Sequence, residues 1–179
     1  MADVPHDATR ALVDALRELD ADDREELLSA LGADDETDLR SLLSYDEDTA
    51  AGMMTSAMVV IPASGVVSDA VAALRAARGT PDEAEMAILV DADGVLVDDI
   101  TALELLGEEG TRPLVELTGP PWPVTVQPDA PLRDVVDAMR DNMGASVVVV
   151  DADGRPLGRI LADDLVDALD GVVRGVGLH

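Results

Sequence analysis

The chain has no cysteine, no lysine and no phenylalanine, and it carries one tryptophan and one tyrosine. Without cysteine, disulfide staples, thiolate nucleophiles and Cys-ligated zinc are excluded. The two histidines, His6 and His179, stand at opposite ends of the sequence and offer no transition-metal set. Ser64, Ser68 and Ser146 have no histidine within an obvious loop, so serine-type nucleophilic catalysis has no support. No apolar run approaches the roughly 20 residues of a membrane span, and the opening MADVPHDATR lacks the apolar core of a signal peptide. A soluble, cytoplasmic chain without direct membrane insertion is expected.

What is present in excess is acid. Thirty-eight acidic residues face 12 basic ones, all arginine, for a formal net charge of −26. Such a chain repels phosphate backbones and anionic lipid, so nucleic acid is not an expected partner and cations are. Most of these carboxylates read as a solvating, halophilic surface, suited to a cytoplasm salty enough to screen their mutual repulsion. The 47% of hydrophobic residues still suffice for a packed core, in one ordinary domain or two small ones.

The first fifty residues read as three short acidic helices. In DATRALVDALREL, Asp7 is placed to cap, and Leu12, Leu16 and Leu19 share a face. In DADDREELLSALG, Asp22 or Asp23 is the expected cap and Gly32 the expected end; DETDLRSLLS gathers Leu39, Leu42 and Leu43.

From about Ala50 the chain repeats itself. MVVIP, DAVAALRAAR with Ser68 as its cap, EMAILVD, ADG, VLVDDIT and ALELLGEE are followed by PVTVQPD, APLRDVVDAMRDN, ASVVVVD, ADG, RPLGRI and LADDLVDALDG. Each copy is strand, helix, strand, strand, helix, and the Pro-rich TRPLVELTGPPWP connects them. The duplicated Asp-x-Asp-Gly, Asp91 to Gly94 and Asp151 to Gly154, reads as a hairpin loop in which glycine supplies positive φ. A calcium loop of the EF-hand type needs further ligands that neither copy has. ILVDADGVLV also resembles the first motif of haloacid-dehalogenase-type phosphatases, with Asp91 as nucleophile and Asp93 as acid/base. That enzyme needs a basic residue and more carboxylates on a parallel sheet, and the motif here is duplicated.

This order of elements resembles a tandem pair of cystathionine-β-synthase (CBS) domains over about 49–171. LLSYDEDTAAGMMTSAMVVIP resembles the junction of MgtE-type magnesium transporters, carried by Leu42, Leu43, Tyr45, Glu47, Asp48, Ala51, Gly52, Met54 and Thr55. The resemblance implies an α+β protein: an acidic helical segment over 1–49 like the end of the MgtE N domain, a first unit over 50–110 and a second over 111–179, packed about a pseudo-twofold axis. It implies a regulatory module rather than an enzyme, with a membrane magnesium transport domain as a partner of such modules. It also implies a homodimer through the CBS helices, for which Val71, Leu74, Val135, Val136 and Met139 offer apolar faces.

Two ligands follow from the same resemblance. An adenine nucleotide such as ATP or AMP is held in this family by a Ser or Thr with Asp three residues on. The first copy has Thr101 and Glu104; the second has Leu161 and Asp164, so neither pair is intact. Mg²⁺ bridges acidic faces in MgtE-type proteins, and the last helix offers Asp164 and Asp167, with Asp163 and Asp170 on a similar spacing. Carboxylates three or four apart share a helical face, and at about 6 Å two charges repel by roughly 2.8 kcal/mol at an effective dielectric near 20. A divalent cation reverses that sign. Asp134, Asp137 and Asp141 form a second acidic face. A ligand-free dimerisation module is the remaining alternative, and Trp122 is placed to pack an interface or stack on a base.

Overall fold

The computed structural model describes residues 12–13, 15–46, 48–56, 58–77, 85–141, 146–162 and 165. It is an α+β fold of helices around two three-stranded sheets. Helical residues 12–13 and 15–18 open it, followed by α1 (Ala21–Ser29), α2 (Ala33–Leu43) and the single turn α3 (Ala50–Met53). The first repeat comprises β1 (Val59–Pro62), α4 (Val67–Ala76), β2 (Met86–Val90), β3 (Leu96–Thr101) and α5 (Ala102–Leu105). The second comprises β4 (Thr125–Val126), α6 (Leu132–Asp141), β5 (Ser146–Val150) and β6 (Pro156–Leu161), after a 3₁₀ turn at Leu114–Glu116. In each sheet the first strand pairs parallel to the second, and the second antiparallel to the third.

Local chemistry explains these elements, with three corrections to the sequence reading. Asp20, rather than Asp22 or Asp23, caps α1, its Oδ1 accepting from the N–H groups of Asp22 (3.1 Å) and Asp23 (3.0 Å). Gly32 does not end α1, which stops at Ser29; it is the extended residue before α2. Ser68 lies inside α4, and the helix start is held by Asp69, whose Oδ2 accepts from the Val66 N–H at 3.0 Å. The arginines act as internal ties. Arg24 donates to the carbonyls of Leu16, Arg17 and Leu19, and Arg17 to those of Leu42 and Tyr45, satisfying carbonyls left open at helix ends.

Both Asp-x-Asp-Gly segments are turns of one geometry. Asp91 Oδ1 accepts from the N–H groups of Asp93 and Val95, each at 2.9 Å, and Gly94 has φ 80°. Asp151 does the same with Asp153 (2.9 Å) and Arg155 (2.8 Å), and Gly154 has φ 81°. The two turns touch. Leu96 donates its N–H to the Gly154 carbonyl at 2.9 Å, and Arg155 Nε reaches the Asp93 carbonyl at 3.0 Å.

The cores do not follow sequence order. Residues 49–55 precede β1 yet pack into the second unit: Thr49 bridges Pro131, and the N–H groups of Ala50 and Ala51 donate to the carbonyls of Ala130 (2.8 Å) and Pro128 (3.0 Å). Residues 113–117 precede β4 yet pack into the first: Val66 bridges Pro113, and Leu114 and Leu117 join the core of Val67, Ala70, Leu74 and Leu89. A single apolar cluster runs from Val13, Leu16, Leu28, Leu39 and Leu42 through Ala51 and Met53 into Val135, Val147 and Ile160. The N-terminal helices thus share one core with the second unit. Between the two sheets lies a smaller cluster of Ile88, Val148 and Val150, with Met58, Met86, Val90 and Leu96 against it.

Candidate functional site

β3 and β6 are the corresponding third strands of the two sheets. Counting from the paired turns, β3 and β6 correspond residue by residue at an offset of 60, so Asp99 matches Arg159 and Thr101 matches Leu161. Arg159 is 2% exposed, and its charge draws the Asp99 carboxyl down. Burial outweighs that pull, aided by the carboxylates of Asp98 and Glu104, so the pKa of Asp99 lies above the ordinary aspartate range. Asp98, 4% exposed, is likewise raised, first by burial, against two stabilising backbone donors.

Those donors show why Asp98 is inside. Its Oδ1 accepts from the Asp99 N–H and its Oδ2 from the Gly119 N–H, both at 2.9 Å. In the other half, the strand-leading segment makes a backbone bridge instead: Thr55 and Arg159 exchange N–H and C=O bonds at 2.8 and 3.0 Å. At the repeat's helix offset of 65, Thr55 corresponds to Pro120, which has no N–H to give. The Asp98 side chain takes the place of that bridge, and its counterpart on β6 is Gly158. A Cβ there would meet the Thr55 carbonyl oxygen at 2.5 Å and Met54 Sδ at 2.7 Å.

Of the residues expected to hold a nucleotide, Thr101 and Glu104 sit together at the end of β3. They form a capping box for α5: Glu104 Oε2 accepts from the Thr101 N–H (2.8 Å) and Oγ1 (2.7 Å), and the Glu104 N–H donates to Thr101 Oγ1 (3.2 Å). Leu161 ends β6 and is buried. Asp164 and the other expected metal ligands, Asp163, Asp167 and Asp170, lie outside the described residues. Among the described residues, no three carboxylate or histidine side chains are grouped to hold a metal ion, so Asp134, Asp137 and Asp141 do not form such a group. The sequence reading did not single out Asp98 or Asp99; the only signal was acid within an apolar strand, Asp98 on its buried face.

One further expectation is corrected. Leu74, Val135 and Met139 are buried within their own units rather than free for a second copy, and Val71 is partly buried against the first unit's core. Exposed large apolar residues lie elsewhere, among them Leu103 (78%) and Leu106 (81%) on and just after α5, Val115, and Trp122, which is 56% exposed and packs into none of the core clusters of the described residues.

Residues 8–48 match the family model of the MgtE intracellular N domain, and residues 122–171 match that of the CBS domain. Residues 8–48 are thus similar to an MgtE-type N domain and residues 122–171 to a CBS domain, and the two sheets share the fold of a CBS pair. No curated protein matches it. Among solved structures, the soluble part of a magnesium transporter superposes with a TM-score of 0.83 at 26% identity, covering 92% of this chain and 64% of that one. The cytosolic domain of the Mg²⁺ channel MgtE in complex with ATP gives 0.81 at 26% identity, covering 89% and 65%. A CBS pair of a putative Mg²⁺ transporter from Shewanella oneidensis shares the fold at 16% identity, with a TM-score of 0.71 and coverage of 92% and 95%. The chain therefore spans just under two thirds of the first two relatives. Neither matched family model is that of an enzyme, and the Asp91 carboxylate accepts two backbone N–H groups of its own turn, as its duplicate Asp151 does. Among the described residues, no helix is long and apolar enough to cross a membrane.

Proposed function

We propose that this CBS pair is a cytoplasmic ligand-sensing module that responds to Mg²⁺, with an adenine nucleotide as second ligand, and passes its state to a magnesium transport domain. The observation that carries this reading is the order of modules. An MgtE-type N segment precedes a CBS pair, and the combination superposes on transporter cytosolic parts over nine tenths of the chain. Electrostatics couples the two ligands. Around Asp99 the carboxylates of Asp98 and Glu104 outweigh the one cation Arg159, and the chain carries 26 net negative charges, so a bare triphosphate is opposed. Complexation with Mg²⁺ removes part of that opposition, and ATP enters as the magnesium complex. The metal's own sites are the carboxylates of Asp164 and Asp167, with Asp163 and Asp170 beside them; Mg²⁺ retains several waters, so such a site works at millimolar concentration.

Thermal unfolding at fixed high ionic strength tests this, with MgCl₂ titrated against a matched NaCl control and ATP added with and without Mg²⁺. Ligand at about 100 times Kd stabilises the folded chain by roughly 2.7 kcal/mol. A saturable rise with MgCl₂, lost in Asp164→Ala/Asp167→Ala, is the expected outcome; curves superimposable on the salt control discard the reading.

Homodimerisation belongs to the same proposal, now through the exposed face of Leu103, Leu106 and Val115. Light scattering at micromolar concentration should return twice the chain mass, and Leu103→Glu/Leu106→Glu should halve it. A wild-type monomer refutes the assembly.

A further inference from the structure

We propose that the contact of Gly158 with Met54 and Thr55 is the joint through which the state of the inter-unit cleft reaches the N segment. This rests on the sensing reading above and adds its direction of travel. Any ligand between β3 and β6 acts on both strands, and β6 is the one whose movement has a rigid outlet. Its Arg159 exchanges two backbone hydrogen bonds with Thr55, and the approach at Gly158 leaves no room for a Cβ. Beyond the contact, Met53, Ala51 and Ala50 of α3 are fully enclosed and belong to the same core as Leu42, Leu39 and Leu28 of the N segment. A shift of β6 therefore cannot be absorbed by a loop before it reaches α2.

The junction motif acquires a physical role from this placement. Leu42, Ala51, Met54 and Thr55 are all buried along the path, and Tyr45 shares a small cavity of about 110 Å³ with Ser41, Leu42, Met54, Ser56 and Leu157 at the seam. Tyr45 also offers its carbonyl to Arg17, tying the first helical stretch to the same point at 3.1 Å. On the other side of the pseudo-twofold axis the equivalent contact is the bond from the Gly119 N–H to the Asp98 side chain, in the inter-unit connector. The two halves are related by symmetry but not mechanically alike: among the described residues, the N segment shares its core with the second unit and not with the first.

Amide hydrogen exchange on the full chain tests the joint. In Gly158→Ala without ligand, exchange across residues 21–43 should quicken by roughly tenfold while β2 and β3 keep their wild-type rates. If the added methyl prevents folding, Met54→Ala, which removes the side chain pressed on Gly158, should give the same pattern in weaker form. With MgCl₂ plus ATP as the probe, wild type should slow in β3, β6 and 21–43 together, and the variants should keep the strand response and lose that of 21–43. Unchanged exchange of 21–43 in both ligand-free variants overturns the joint whatever the ligand does. Silence of every segment towards MgCl₂ and ATP, with the ligand-free effect present, removes the sensing reading and with it the signalling role of the contact.

Discussion

Leu114→Ala should destabilise the first CBS unit by about 2–5 kcal/mol, although Leu114 stands after that unit in sequence. The side chain is fully buried among Val67, Ala70, Leu74 and Leu105, and truncating an enclosed leucine loses its transfer energy and leaves a cavity. The residue arrives there because the 3₁₀ turn at 114–116 packs back on the unit it follows, with the Leu114 N–H donating to the Gly65 carbonyl at 3.0 Å. Urea unfolding monitored by hydrogen exchange should show β1, β2 and α4 opening at lower denaturant, with α6 and β5 little changed. Loss of protection centred on α6 and β5 would show that the exchange of segments is not as described.

The second large effect is on pH and salt. The carboxyls of Asp98 and Asp99 hold their protons more tightly in the folded chain than in the unfolded one, first because Asp98 is buried and Asp99 half-buried. A raised carboxyl contributes stability that is full below its unfolded value of about 3.9 and is lost as pH rises through the folded value. Mild acidification from neutrality should therefore raise the unfolding temperature. Relief of repulsion among 38 acidic side chains acts in the same direction. Glu25 opposes it weakly: paired with Arg40 at the surface, its carboxyl is held low and that pair is lost only at more acid pH. Added NaCl at neutral pH should raise the midpoint as well, through screening. Asp98→Asn/Asp99→Asn isolates the buried pair, since it should reduce the acid-side gain while leaving the salt response. An acid-side gain of wild-type size in that variant would assign the whole effect to the surface.

The contrast between these two residues and the Asp-x-Asp-Gly turns shows where sequence reasoning succeeds. Asp91 and Asp151 are legible because everything they do is local. Each side chain bonds N–H groups two and four residues on, and each glycine takes the φ that the turn requires. Asp98 looks like any other acid in VLVDDIT, because its reason for being buried is Gly119, 21 residues away, and the missing N–H of Pro120.

By itself the sequence determined the repeat, the alternation of strand and helix within each copy, the paired turns and a junction motif that resembles that of MgtE-type proteins. All of these rest on periodicity, turn chemistry or residue order within a few positions. Only the tertiary structure decided which core each segment joins. Residues 49–55 (TAAGMMT) and 113–117 (PLVEL) are short stretches with apolar residues, and nothing local to either specifies packing forward or packing back. The choice is made by long-range contacts: the carbonyls of Pro128 and Ala130 that receive α3, the crossed bridge to β6, and the glycine at 158 that lets two backbones meet. The side of the CBS pair to which the N segment is bound follows from those contacts, and with it the unit through which its state is passed on.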